Sequence, residues 1–267
     1  EMFRKDRADF ESKWNDMKII IEYGMLTEDK FFDKAKKFAM YTDTDGGLHT
    51  FEAYLESIKE HQTDKDKKTV VLYASNKDAQ HSYIQNAKAK GYSVLLLDSP
   101  LTSHLLQKLE QEHENTTFAR VDSDLIDNLI KKDETRVAKL SDKQKEELKT
   151  RLETIVPTEK FTLKLEDMDS TEAPLVITVP EFMRRMKEMQ MTGGGGMMGM
   201  GDFPDMYDLI VNANHPLASK ILDTEDDEAR SSAVNQALDL AKLQQNLLHG
   251  EELTAFIARS YEMLGNE

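Results

Sequence analysis

The sequence contains no cysteine. That absence excludes a disulfide scaffold, thiolate nucleophiles and thiolate zinc sites. Basic residues are also short: 35 Lys+Arg stand against 50 Asp+Glu, for a formal net charge of −15. A nucleic-acid groove needs a basic stripe that displaces counterions, so nucleic acid is not an expected partner. No hydrophobic run approaches the roughly 18 residues of a membrane-crossing helix. No secretory leader opens the chain, and the expectation is a cytoplasmic protein. Catalytic constellations are missing as well. His49/Glu52 and His249/Glu252 have helical spacing, but neither pair has the further ligands that a metal site requires. Gly193–Gly196 lacks the Gly-Lys-Ser/Thr of a phosphate loop, and the acidic runs at 122–127 and 223–228 lack the order of a calcium loop. No catalytic residue and no metal is expected.

What is present is enough apolar material for packed cores. The 267 residues are 39% hydrophobic, a length that predicts about two domains. The chain opens on Glu1 rather than methionine, and Phe3, Phe10, Trp14 and Met17 recur at helical spacing at once, which points to an excised fragment. Residues 1–23 read as one amphipathic helix stopped by Gly24, with Thr27 capping a second helix. Residues 42–47 read as a polar turn, and a short helix spans 51–60. The runs 69–74 and 93–97 are short and apolar, as strands buried on both faces are, and 116–121 reads as a third strand. Helices predicted at 76–90 and 101–112 separate them, so the pattern gives a small parallel-sheet α/β/α domain with preceding helices. Polar residues 131–140 form a linker. Residues 141–267 read as an α+β domain: a helix capped by Ser141, strands at 160–165 and 174–179, a helix over 181–191 led by Pro180, and a helical last sixty residues. These end in a helical hairpin, 226–248 and 251–264.

One segment stands apart. Residues 182–206 hold 8 of the 14 methionines and 6 of the 12 glycines. Methionine is flexible and polarisable, and suits surfaces that accept many shapes. Phe182, Met186 and Met189 share one helical face, while Arg184, Arg185, Lys187 and Glu188 make the rest polar. Two readings stand: an ordinary packed helix before a loop, or an apolar helix kept exposed to bind non-native chains or a membrane surface, the last disfavoured by a small basic face on an acidic chain. The terminal hairpin also has two readings. It closes onto its own domain, or it pairs with its symmetry mate into a four-helix bundle; an Ala-rich stripe that buries poorly alone favours the pair.

Several separated motifs then agree. Val211-Asn-Ala-Asn-His-Pro-Leu217, Gly250-Glu-Glu-Leu-Thr-Ala-Phe256 and residues 31–45, with Lys37-Phe38 and Tyr41-Thr-Asp-Thr-Asp45, resemble the ninety-kilodalton heat-shock chaperone family across essentially the whole chain. The resemblance implies that residues 1–130 are the latter part of a chaperone middle domain, 131–140 a linker and 141–267 the C-terminal dimerisation domain. It implies a homodimer with non-native client proteins as partners, acting in protein folding and the stress response. ATP and magnesium would belong to an N-terminal domain outside this chain, so the fragment is expected to have no cofactor and no enzyme activity of its own, while the parent is an ATP-dependent chaperone. The family's client-contacting surface implies roles for Phe182, Met183, Met186 and Met189 on one helix and for Ser103, His104 and Gln107 on another. The resemblance places His104 where the well-known bacterial form of the family carries a tryptophan, and histidine is a weaker apolar anchor. Dimerisation falls to Leu240, Leu243, Leu247, Phe256, Ile257, Tyr261 and Leu264. The alternative is a purely structural dimerisation module with the methionine-rich helix packed and inert.

Overall fold

The computed structural model describes residues 2–132, 136–192 and 206–265, with the side chains of Met2 and of residues 189–192 outside the description. The chain divides into two units, residues 1–133 with 181–201 and residues 134–180 with 202–267.

The first unit begins with three helices where the sequence predicts one: α1 (Met2–Lys5), α2 (Arg7–Ser12) and α3 (Trp14–Thr27). The break has a local cause. Asp6 leaves helical geometry and its carboxylate accepts from the Asp9 amide at 3.1 Å, capping α2. The turn lets Phe3, Phe10 and Trp14 gather, with ring centroids 5.4 and 5.8 Å apart along the series. Gly24 does not stop α3, which runs on to Thr27. It makes room instead: a Cβ there would lie 2.9 Å from the Phe31 ring. Thr27 is not a cap either. Its hydroxyl donates back to the Tyr23 carbonyl, and Glu28 occupies the cap position of α4 (Asp29–Ala35).

Only residues 44–47 of the predicted turn 42–47 are a turn; Thr42 and Asp43 belong to one of two unpredicted strands that flank it, β1 (Met40–Asp43) and β2 (Leu48–Thr50). Asp43 organises the hairpin, accepting from the amides of Asp45 at 2.8 Å and Gly47 at 2.9 Å and pairing with His49 Nε2 at 2.7 Å. Gly46 supplies the positive φ, +91°. His49 therefore lies on a strand facing Asp43, not on a helix with Glu52. Burial works to raise the Asp43 pKa, but the His49 ring and the two amides outweigh it and hold the carboxyl below its usual range.

Helix α5 (Phe51–Ile58) follows, then β3 (Thr69–Ala74), α6 (His81–Ala89), β4 (Val94–Leu96), α7 (Thr102–Glu112), β5 (Thr116–Arg120) and α8 (Ile126–Leu129). Helix α6 starts five residues later than predicted because the Asn76 side chain accepts from the Asp78 and Ala79 amides and closes a turn first. The sheet order is β2-β1-β4-β3-β5. As the apolar runs predict, β3 is parallel to both β4 and β5, with Leu72 opposite Val94 and Val71 opposite Phe118. The antiparallel β1–β2 hairpin adds to β4, so the sheet is mixed. Trp14, Tyr41, Phe51, Leu95, Leu106 and Phe118 belong to the core.

The second unit opens on α9 (Asp142–Glu153), where Ser141 and Gln144 complete a reciprocal capping box. Strands β6 (Phe161–Glu166) and β7 (Leu175–Thr178) follow, and α10 (Glu181–Thr192) is part of the first unit although it follows β7 in the chain. The last sixty residues are not all helical. Residues 207–212 carry the continuous run Leu-Ile-Val and form β8 (Tyr207–Asn212), the centre of a sheet ordered β6-β8-β7, parallel to β6 and antiparallel to β7. Fold class is thus mixed α/β with two mixed sheets. After β8 come α11 (Pro216–Asp223), α12 (Asp227–Gln244) and α13 (Gly250–Gly265).

The motif at 211–217 turns out to be structural. The Asn214 amide donates to the carbonyls of Val137 and Met168, both at 2.9 Å, and its oxygen accepts from the Lys139 amide at 2.8 Å. His215 caps α11, its Nδ1 accepting from the Leu217 amide at 3.0 Å. Burial lowers the His215 pKa from its ordinary 6.5, and protonating Nδ1 destroys the acceptor. A depressed folded-state value means that the cap's contribution is complete above the unfolded value of 6.5 and is lost as pH falls through the lower folded value. We expect the melting temperature to drop as pH falls below 6.5, and His215→Asn, which keeps the acceptor without the titration, to flatten that drop. Equal slopes in thermal melts of the two proteins would refute the assignment.

Candidate functional site

Helix α10 is amphipathic, and its orientation is the reverse of an ordinary surface helix. Its polar face turns inward. Arg184 is only 7% exposed, its guanidinium 5.5 Å over the Tyr73 ring and bonded to the Tyr73 hydroxyl, Glu181 and Glu188. Arg185 forks onto Glu110 at 2.9 and 3.2 Å, reaches the Phe118 carbonyl at 3.0 Å and bonds Glu181 at 2.7 Å. Tyr73, fully buried on β3, donates to Glu181 at 3.0 Å. Burial and then the neighbouring Glu181 push the Tyr73 phenol well above its ordinary value, so it stays a donor. Burial also works to raise Glu181, yet Arg184 and Arg185 overcome it and hold that carboxyl below its usual range.

The apolar face turns outward. Phe182 is 70% exposed and Met186 40%, while Met183 is half-buried. The side chain of Met189 lies outside the described residues, as do residues 193–205 with the glycine run and Met197, Met198, Met200 and Phe203. On α7, Ser103 is buried and its hydroxyl donates to Glu188. His104 is half-buried, with Nδ1 buried and without a hydrogen-bond partner; Gln107 is exposed. The fold thus brings the two helices predicted to carry the client surface side by side, through Ser103 and Glu188. Of the α7 trio, Ser103 is covered.

The terminal hairpin splits the predicted dimerisation residues. Helix α12 buries Val234, Ala237, Leu238 and Ala241 in its own unit's core. Leu240, Leu243 and Ile257 face solvent, as do Tyr261 at 71% and Leu264 at 75%. Met263, absent from the predicted set, is exposed beside them. Phe256 is buried and Leu247 packs partly against the core, so these two brace the hairpin from within. Gln236 joins the helices by donating to Ser260 at 3.2 Å and accepting from Arg259 at 2.9 Å. No group of three or more metal-ligating side chains, and no helix long and apolar enough to cross a membrane, occurs among the described residues.

Over residues 1–266 the sequence matches the family described as Hsp90 protein. The chain belongs to the Hsp90 family. It is 37% identical to "Chaperone protein htpG" of Bacteroides fragilis, over 98% of this chain and 48% of that protein. It is 41% identical to "Chaperone protein HtpG" of Porphyromonas gingivalis, over 91% of this chain and 36% of that protein. The chain spans about half the length of the Bacteroides relatives it matches.

Within this Hsp90 chain, Tyr73, Glu110, Arg184 and Arg185 escaped sequence reasoning as site residues. A signal for the last two was present: Glu181, Arg184, Arg185 and Glu188 stand three and four apart, the spacing of helical ion pairs. Nothing local could have named Tyr73 or Glu110, which lie 108 and 75 residues from their α10 partners.

Proposed function

We propose that this chain is the dimerising, client-holding part of an ATP-dependent chaperone of the stress response. ATP and magnesium are bound by a domain outside the chain, and the chain itself hydrolyses nothing. Two copies clasp through α12 and α13, and each offers the exposed face of α10, with His104 and Gln107 on α7 beside it, to partly folded proteins. Folded proteins expose few contiguous apolar patches, whereas partly folded ones expose many, so such a face selects by folding state. Two arms raise the effective concentration of a contact that is weak when single. The observation that carries this reading is the outward direction of Phe182 and Met186 on a helix whose Arg184 is buried.

The test is suppression of aggregation of a partly folded model client. Burying one such side chain contributes roughly 1.5–3 kcal/mol. Phe182→Ser/Met186→Ser, two exposed positions that carry no core packing, is therefore expected to weaken client holding about ten-fold or more while leaving mass and melting temperature unchanged. Undiminished holding by an intact dimer would favour instead a structural dimerisation module with an inert helix.

A further inference from the structure

Among the described residues, the apolar core cluster of the first unit draws no side chain from α10. The helix is nevertheless docked. Its attachment is a set of charged hydrogen bonds: Arg184 with Tyr73, Glu181 and Glu188, Arg185 with Glu110 and the Phe118 carbonyl, and Glu188 with Ser103. Taking several charges out of water costs nearly what their mutual attraction returns, so a buried ion-pair set adds little net stability while it is complete. Remove an arginine and the partly buried carboxylates of Glu181 and Glu110 lose a partner, a larger penalty than the net worth of the pair. Such an attachment fixes geometry firmly and holds weakly. Apolar burial would do the opposite, since it is non-directional and would draw Phe182 and Met186 inward.

We propose that Arg184 and Arg185 are positioning residues that latch α10 by its polar face and make the helix a two-state element. Latched, it presents Phe182 and Met186 to solvent and covers Ser103 with Glu188. Released, it leaves Ser103 open on α7, so the two states offer different surfaces. The purpose of the latch rests on the client-holding reading of α10; its existence does not.

The cysteine-free sequence makes the test clean, because one introduced thiol is the only one in the whole 267-residue chain. Maleimide labelling is measured for Ser103→Cys and for Gln111→Cys, an exposed position on the same helix. With both arginines present, the thiol of Ser103→Cys is expected to react about ten-fold or more slowly than that of Gln111→Cys. Adding Arg184→Ala/Arg185→Ala should raise the Ser103→Cys rate about ten-fold and leave the Gln111→Cys rate within about two-fold. Arg185→Lys, which keeps the charge and loses the fork, should fall between. Hydrogen exchange over 181–188 should accelerate with the arginines removed, while 69–74 and 116–120 keep their protection, which shows that the unit remains folded. Fast labelling of Ser103→Cys in the parent, or slow labelling in both backgrounds, overturns the latch. Client holding is read separately. A released helix with unchanged holding would sink the role of α10 in function and leave the latch standing; loss of holding in Phe182→Ser/Met186→Ser without any effect of the arginines on labelling would do the reverse.

Discussion

Charge placed on the terminal hairpin, Leu240→Glu with Tyr261→Glu, is expected to halve the particle mass in sedimentation equilibrium. Both side chains are solvent-facing in the single chain, so the substitution removes nothing from the core of the second unit. Leu240, Leu243, Ile257, Tyr261, Met263 and Leu264 are all exposed in the single chain and lie on the two helices that the proposed dimer would cover. Each such side chain contributes roughly 1.5–3 kcal/mol when buried, and two-fold symmetry counts every one twice. That sum exceeds the about 4–15 kcal/mol lost in translational and rotational freedom on association. A glutamate at each of two positions reverses the balance, because burying an unpaired carboxylate costs more than the lost apolar contact. The melting temperature of the variant should become independent of protein concentration, whereas that of the parent should rise with it. A parent that already sediments as a single chain at micromolar concentration would defeat the dimer. Phe256 makes the useful contrast. Being buried, it should lower stability when truncated and change the association constant only indirectly.

Leu209→Ala is expected to cost the second unit about 2–5 kcal/mol, the range for truncating a fully buried leucine. Leu209 has no exposed surface and sits mid-way along β8, opposite Leu163 on β6 and Ile177 on β7. A central strand has no free edge along which to relax, so the cavity persists rather than collapsing. Hydrogen exchange should speed up across 161–166, 175–178 and 207–212 together, as one cooperative group. Strands 69–74 and 116–120 belong to the other unit's core and should keep their protection. A loss below about 1 kcal/mol would mean that β8 is not the centre of its sheet.

Much of this molecule is legible one residue at a time. The apolar runs of β3 and β4 announce buried strands because a strand covered on both faces needs no alternation, whereas β5 buries only Phe118. Ser141 with Gln144 declares a helix start, since the cap is made by residues three apart. The resemblance to the family is carried by motifs read in order, and the match over residues 1–266 shows the membership. The errors have a common source as well. Strand β8 was hidden because Leu-Ile-Val carries no period that separates a buried strand from a buried helix. The β1–β2 hairpin was hidden because strands of four and three residues are shorter than any pattern that could reveal them.

The site shows where sequence stops. Composition and spacing alone determine that residues 181–192 make a helix with one greasy face and one charged face. They also set the cysteine-free, acidic, chaperone-family character of the chain. Only tertiary structure decided which face looks inward, because that choice depends on a buried hydroxyl at Tyr73 and a carboxylate at Glu110, each brought from a distant part of the chain. Periodicity reports how side chains are distributed around an axis. It carries no information about the partner that waits on either side.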